Sequence, residues 1–335
     1  MGTMSAPRPA PLLAGDVGAT KTNLALFTAA GGVLTPVAEA HFVNEGYAGL
    51  DGVVRTFLAR GAYVPAAACF GVAGPVADGR ARMPNLGWLI DALDLGRRLA
   101  LERVVLLNDL EATAYGIAVL PPDQVTVLNP GVPRATGNAA LIAAGTGLGE
   151  AVLYWDGMRH RVSASEGGHA DFAPRDAEQI RILTRLIDRF GHVSWERVVS
   201  GPGLHSIYGA LDAPEAPEVA ARIAAAEDAS ATIAELALAG ASARCVRALD
   251  VFVSAFGAEA GNLALKALAT GGVYVGGGIA PKILPKLADG TFMRAFTDKG
   301  RFADLLGRMP VKVILDPKTA LRGAAAYLAG AETRS

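Results

Sequence analysis

Cysteine is nearly absent from this chain: Cys69 and Cys245 are the only two in 335 residues, and both stand in apolar surroundings. That excludes a disulfide framework and a thiolate zinc cluster, and it points to a reducing compartment. An excess of either charge is also missing. Lys plus Arg number 31 and Asp plus Glu 32, a formal net charge of −1, which supplies no electrostatic footprint for nucleic acid or anionic lipid and leaves small molecules as the expected partners. No stretch holds the 18 or so uncharged apolar residues that a membrane span requires, and the opening MGTMSAPRPAP lacks the apolar segment of a secretion signal. The expectation is a cytoplasmic protein without nucleic-acid or membrane partners, preceded by a loose leader over residues 1–11. Two common nucleotide motifs are missing as well, since the first glycine turn fits neither GxxxxGK[ST] nor GxGxxG.

What is present is a long, apolar, globular chain, 51% hydrophobic and 19% charged, of a length suited to two lobes. Leu12 to Val17 reads as a strand, Gly18-Ala19-Thr20-Lys21 as a tight turn, and Leu24 to Phe27 as the return strand of a hairpin. Glycines in such a turn let successive backbone N–H groups converge on an anion, with Thr20 adding a hydroxyl and Lys21 a positive charge, while Asp16 at the strand end can hold a hydrated magnesium ion. Taken alone, a glycine-rich hairpin is just a turn. A strand over 33–43, a helix over 50–60 and a buried strand over 66–72 follow. Asn85 and Trp88 then lie in a Gly/Pro-rich loop spanning Met83 to Ile90, where a polar side chain serves either a ligand or an Asx turn. A helix over 93–101 and a strand over 104–107 complete a β-β-β-α-β-α-β-α lobe.

That order begins again at Leu141. LIAAGTGLGEAVLYWDG repeats the succession of strand, glycine turn (Gly145-Thr146-Gly147) and strand seen in LLAGDVGATKTNLALF, which indicates a duplicated lobe rather than a solenoid of short repeats. Next comes SEGGHADFAP, with Glu166 and His169 around a flexible Gly167-Gly168 pair; His169 by itself reads as an ordinary surface histidine. A helix over 176–190 is expected to bury Ile180, Leu183, Leu186 and Ile187. In GHVSWERVVSGPGL, Ser194 reads as a cap of a short helix and Glu196 as a solvated charge. Residues 217–270 are Ala-rich and helical, with 241–269 apolar almost all round. GGVYVGGGIAPKIL returns to strand, turn and helix, with Gly276 to Gly278 at the turn and Pro281 near the helix start. A strand over 311–315 and a helix over 319–329, suited to packing back on the first lobe, close the chain.

The stretch VVLLNDLEATAYG, 104–116, organises this reading. Four apolar residues on both faces mark a central strand of a covered sheet, and ligands of open α/β sheets gather where such strands end. Asn108 and Asp109 stand there. The plainer reading is that Asp109 only caps the next helix.

Taken in order, these segments closely resemble the bacterial ATP-dependent glucokinases of the hexokinase and actin-like superfamily. GDVGATKTN resembles the family's first phosphate loop, LLNDLEA its catalytic segment, AAGTGLG its second phosphate loop, EGGHADFAP and SWERVVSGPGL its sugar-binding segments, and GGVYVGGGIAP its adenosine-side loop. The resemblance implies an α/β fold of two duplicated actin-like (ribonuclease H-like) lobes, each a mixed β-sheet flanked by helices, with the active site in the cleft between them. It implies a small lobe over 12–119 plus 316–335 and a large lobe over 120–315. Asp109 would be the catalytic base for phosphorylation of glucose by Mg2+-ATP, and Asn85, Asn108, Asp109, Glu166, His169 and Glu196 would hold the sugar. Gly15, Asp16, Val17, Gly18, Ala19, Thr20 and Lys21, with Gly145, Thr146 and Gly147, would hold the ATP phosphates, and Gly276, Gly277 and Gly278 would lie near the adenosine. A homodimer is the family expectation. Two departures stand out: Pro84-Asn85 replaces the frequent Thr-Asn, removing a hydroxyl near the sugar, and Ala19 replaces a frequent glycine, adding one methyl group. The alternatives are a kinase for another hexose or amino sugar on the same fold, or a non-catalytic sugar sensor. The sensor should carry an N-terminal helix-turn-helix or basic arm, and here the first strand already starts at Leu12.

Overall fold

A computed structural model describes residues 10–31, 33–61, 63–133 and 135–330; most of the expected leader, 1–9, lies outside the described residues. By packing, the described chain divides into two units. One takes the residues up to Pro121, Met158–Val162 and those from Lys318 onward, and the other takes Pro122–Gly157 and Ser163–Pro317.

The first unit opens with β1 (Leu12–Val17), β2 (Lys21–Ala30) and β3 (Val33–Val43), followed by α1 (Leu50–Leu58) and β4 (Ala67–Val72). Then come β5 (Val76–Ala77), β6 (Arg80–Met83), β7 (Trp88–Asp91), α2 (Ala92–Leu99), β8 (Arg103–Asn108) and α3 (Asp109–Ile117). Its main sheet has the order β3-β2-β1-β4-β8, antiparallel through the β1–β2–β3 meander and parallel from β1 to β4 to β8. Alternate side chains of β1 enter different cores, as strand geometry requires. Leu13 and Val17 join Leu50, Val53 and Leu95 from α1 and α2, whereas Ala14 joins Cys69, Leu107 and Ala112 on the opposite face.

The small sheet β5-β6-β7 was not expected. Trp88, read from the sequence as a loop residue, opens β7; its ring is buried and its Nε1–H donates to the Tyr47 carbonyl at 3.2 Å. The four-residue strands here are too short to leave a period-2 signal among the glycines and prolines around them.

The second unit contains β9 (Val125–Asn129), β10 (Ala139–Ala144), β11 (Leu148–Trp155) and β12 (His160–Ser165), then α4 (Ala177–Phe190), α5 (Gly201–Ala210), α6 (Pro217–Ala224), α7 (Ala229–Leu238) and α8 (Ala243–Ala267). It ends with β13 (Gly272–Gly276), α9 (Leu284–Ala288), α10 (Thr291–Thr297), α11 (Ala303–Gly307) and β14 (Val311–Ile314). Its sheet order is β12-β11-β10-β13-β14-β9. The antiparallel β10–β11 hairpin followed by parallel β13 and β14 repeats the plan of β1–β2 with β4 and β8, so the duplication read from the two hairpins is real.

Helix α8 is long and apolar enough by length and composition to cross a membrane, but it is a core helix: it buries Phe252, Phe256, Leu263 and even Glu259 within this unit. On α4 the expected stripe is rotated. Ile180 and Ile187 are exposed, and the buried residues are Gln179, Ile182 and Leu186. The buried Gln179 accepts from the Arg175 N–H at 2.9 Å, so a polar residue that pattern reading assigns to solvent belongs to the inner face. The helix after β13 starts at Leu284 with Pro285 in its first turn, not at Pro281, which lies in the preceding turn.

The last helix, α12 (Thr319–Leu328), returns to the first unit and packs on α3. The two helices meet glycine to backbone. A Cβ on Gly323 would overlap the Ala112 carbonyl, and one on Gly116 would overlap the Thr319 carbonyl. Gly71 of β4 lies on the other side of the same helix, where a Cβ would come within 2.7 Å of the Ala112 methyl. Tyr115 and Tyr327 close the contact edge to face, 5.1 Å between ring centres. Gly323→Ala should therefore cost about 1–3 kcal/mol by forcing the helices apart. Gly209→Ala on α5, where a Cβ meets open space, should be neutral or gain up to about 1 kcal/mol; urea unfolding of both variants checks the contrast.

Candidate functional site

The residues singled out from the sequence fall into both units. Within the first, β1 runs straight into the turn that joins it to β2, closed by the Gly18 N–H donating to the Lys21 carbonyl at 2.9 Å. Gly15 and Val17 are buried: Gly15 is a glycine because Phe70 occupies the space of its side chain, and Val17 is core. They can offer a ligand only backbone. Ala19, Thr20 and Lys21 are exposed on the turn.

A residue not singled out from the sequence holds this turn from beneath. Asn44 is buried; its Nδ2 donates to the Gly18 carbonyl at 2.9 Å, its own N–H donates to the Thr20 carbonyl at 2.9 Å, and its Oδ1 accepts the Thr22 hydroxyl at 2.7 Å. With the loop carbonyls drawn down to Asn44, the turn's backbone is fixed in one arrangement. An asparagine in VNEGY carries no signal at sequence level, since its partners are 22 and 26 residues away.

On the Ala14 face of the sheet, Asp16 comes next and points to the side where α3 begins. It accepts from Asn23 Nδ2 at 3.2 Å, and burial raises its carboxyl above the ordinary range. Helix α3 starts at the end of the parallel strand β8, and its cap is Asn108 rather than Asp109. Asn108 Oδ1 accepts the Leu110 N–H at 2.9 Å, and its own N–H donates to Glu111 Oε2 at 3.0 Å, the reciprocal pairing of a capping box. Asn108 Nδ2 also donates to the Gly74 carbonyl at 3.0 Å, so one amide hydrogen and one lone pair remain for a ligand.

Asp109 is thus the first residue of the helix, with Oδ1 sharing the Leu110 N–H at 2.9 Å. A helix N-terminus favours the charged form of a carboxylate. The opposite wins: burial, together with the neighbouring charge of Asp16, pushes the carboxyl up to about 6 against the lowering pull of the Leu110 N–H. Asn85 sits at an exposed turn between β6 and β7 that is closed by backbone bonds, Leu86 N–H to Met83 and Gly87 N–H to Pro84. No hydrogen bond joins its side chain to Asn108 or Asp109 among the described residues.

Within the second unit, the turn Gly145–Gly147 closes with the Gly145 N–H donating to the Gly147 carbonyl at 2.8 Å, and the Gly145 carbonyl accepts the Gly201 N–H at 2.8 Å. Glu196 is not a solvated charge. It stands on a 3-10 turn, Trp195–Arg197, capped by Ser194, and its Oε2 accepts the Leu148 N–H at 2.9 Å against the space of a Gly147 side chain. Its other oxygen is left for a ligand. Gly277, at φ +87°, rests on the backbone of Ala144, so β13 delivers Gly277 and the open Gly278 beside the second glycine turn. Glu166 and His169 flank a second 3-10 turn, Gly167–His169, with their side chains exposed and 4.0 Å apart. Gly168 must be glycine because the Leu148 carbonyl fills its side-chain position. Leu148 therefore anchors both Glu196 and the Glu166–His169 turn.

Each unit thus presents a hairpin with a clamped glycine turn and carboxylates beside it, the plan of an actin-like α/β enzyme. A glucokinase crystal structure from an Antarctic psychrotroph superposes with a TM-score of 0.83 at 31% identity, covering 96% of this chain and 99% of that one. A glucokinase of Synechocystis sp. is 40% identical over 341 aligned residues, 93% of this chain and 96% of the relative, and one of Nostoc sp. is 40% identical over 334, 94% and 97%. A sequence model of the Glucokinase family matches residues 13–331. The chain belongs to the glucokinase family.

Removing the buried amide with Asn44→Ala leaves the Gly18 carbonyl and Thr22 hydroxyl unpaired, at a cost of about 1–3 kcal/mol. In steady-state assays with each substrate varied in turn, the variant should raise KM for ATP several-fold and leave KM for glucose nearly unchanged.

Proposed function

We propose that the protein transfers the γ-phosphoryl group of ATP to the 6-hydroxyl of D-glucose, giving glucose 6-phosphate and ADP, with Asp109 as general base. The observation that carries this reading is the position of Asp109: a desolvated carboxyl at the first residue of α3, beside Asp16 and the Gly18–Thr20 turn. A base poised about one unit below neutral is ionised at pH 7 yet still basic enough to take the sugar proton as the new P–O bond forms.

Phosphoryl transfer asks the protein chiefly to align the reacting groups and neutralise charge. The backbone N–H groups of Gly18, Ala19 and Thr20, with Lys21, would receive the phosphates, as would Gly145, Thr146 and Gly147; Gly277 and Gly278 would lie near the adenosine. Asn85, Asn108, Glu166, His169 and Glu196 would read the sugar hydroxyls, each mismatched hydroxyl leaving a polar group unpaired. No group of three or more His, Cys, Asp or Glu suited to a metal occurs among the described residues. Asp16, partly buried at the end of β1, nevertheless fits Mg2+, which binds through one or two carboxylates plus substrate phosphates and keeps its waters. Asp16 would hold it through water, and when bound it would supply charge neutralisation at the phosphates. Two buried free cysteines, one of them with its thiol pushed up to about 12 by burial, support a cytoplasmic setting. A homodimer, inferred from the family resemblance, is checked by light scattering.

A coupled ADP-release assay across glucose, mannose, galactose, fructose and glucosamine tests the reading, and equal use of galactose would sink it. Asp109→Asn should lower turnover on the order of 10² to 10⁴. For the unmodified enzyme, kcat should rise through pH 6 and level off above, as the base ionises. Because the raised carboxyl costs stability as pH rises through 6, Asp109→Asn should unfold at equal or higher urea at pH 8; a less stable variant would contradict the assignment of burial as the cause.

A further inference from the structure

Beneath the Glu166–His169 turn lies a pair of acidic side chains that the reaction as described does not use. Glu150 of β11 and Glu259 of α8 are both buried, 1% and 0% exposed, and each lies within reach of the other's charge. Two buried neighbouring carboxyls cannot both stay ionised without strong repulsion, so one of the two carries a proton. The donors on the page belong to Glu259: Asn262 Nδ2 at 2.7 Å and Lys266 Nζ at 3.4 Å. Lys299, whose Nζ donates to Asn262 Oδ1 at 2.6 Å and to the Ala258 carbonyl at 3.0 Å, orients that asparagine from α10's far end. Glu150, by contrast, has a buried Oε1 that meets no amide, hydroxyl or ammonium donor. The ionised member is therefore Glu259 and the acid is Glu150.

Glu150 also touches the turn. Its carboxyl occupies the space where a Gly167 side chain would go, with the Ser165 hydroxyl on the other flank at 3.2 Å from that position. The Gly167 N–H in turn donates to Ser165 Oγ at 3.0 Å. The turn thus rests on Leu148 through Gly168 and on Glu150 through Gly167, both on the same face of β11.

We propose that Glu150 is a positioning residue for sugar binding: one proton held between its carboxyl and that of Glu259 seats Gly167, and with it the turn that carries Glu166 and His169. The charged and titratable groups facing Glu150 are Glu259 and Lys266 on α8; Glu166 and His169 lie on the turn above. Loss of the proton puts two negative charges into one buried space whose only direct ammonium partner, Lys266, is largely exposed, with Lys299 held off behind Asn262, and the turn must lift or water must enter. Burial and the charge of Glu259 push the Glu150 carboxyl up to about 7, so the proton is lost on the alkaline side of neutrality. This inference rests on the reading that the turn binds the sugar.

The test measures KM for glucose, KM for ATP and kcat from pH 6 to 9 in the unmodified enzyme, Glu150→Gln and Glu166→Gln. In the unmodified enzyme, KM for glucose should rise toward about tenfold per pH unit above 7, with KM for ATP level and kcat level above pH 7. Glu150→Gln, whose amide N–H replaces the shared proton, should keep the low glucose KM of pH 6 across the whole range. A second measurement does not depend on that variant folding: glucose titrated against the fluorescence of Trp195, beside Glu196, in the unmodified enzyme without ATP should bind more weakly at pH 9 than at pH 6. A pH-independent glucose affinity there, or a Glu150→Gln enzyme that retains the alkaline rise in KM, overturns the role of Glu150 while a raised glucose KM in Glu166→Gln upholds the turn. An unchanged glucose KM in Glu166→Gln overturns the reading of the turn itself, and the proposal with it.

Discussion

The first unit depends on a contact in which two helix backbones touch at glycines. Where α3 crosses α12, Gly116 and Gly323 let backbone meet backbone, and Gly71 brings the sheet to the same closeness on the other side. Dispersion forces fall off so steeply that a gap of half an ångström forfeits a sizeable part of each contact, so helices this close hold each other with little tolerance. Asn108 and Asp109 sit at the first turn of the helix so held. The glycines fix where the helix start lies, and the Leu110 N–H then fixes the Asp109 carboxyl on it.

A second theme is the use of buried polar side chains beneath exposed glycine turns. Asn44 fastens the Gly18–Thr20 turn, and Glu196 and Leu148 fasten Gly145–Gly147 to the 3-10 turn that follows. A glycine turn is entropically expensive to order, because glycine loses more conformational freedom than any other residue. Tying its carbonyls from below offsets that cost during folding and leaves the N–H groups already gathered. Where the family resemblance reads a Gly-Gly-Thr turn, this chain has Ala19, which is exposed.

Much of this was legible in the sequence, and the limits are physical. The hairpins at Leu12 and Leu141 announce themselves by apolar runs broken at glycine, and the sheets confirm them with identical connection patterns. NDLEA announces a helix start; which of its first two residues is the cap depends on backbone angles that composition does not reveal. The burial and the pairing of polar groups are the least legible quantities. Glu196 and Glu150 look like surface carboxylates in a one-dimensional reading, and Gln179 looks like the polar side of a helix whose exposed Ile180 and Ile187 look like its core. In each case the deciding partner, Leu148, Glu259 or the loop at Arg175, comes from another element. The short strands β6 and β7 are invisible for a different reason: four residues contain too few alternations to outweigh the turns that separate them.

The return of α12 to the first unit also sets a timetable. Everything else in that unit's main sheet is made before Pro122, yet the face formed by Ala14, Cys69, Leu107 and Ala112 is closed by Leu321, Ala324 and Ala325. At about 5–20 residues per second, the roughly 200 residues between α3 and α12 occupy a ribosome for ten seconds or more. Through that interval the unit begun first waits with an uncovered apolar flank, and the second unit completes its sheet only when β14 is made, just before α12. Both units are therefore expected to mature at the end of synthesis, and the stretch longest exposed to chaperones and proteases is the one emitted first.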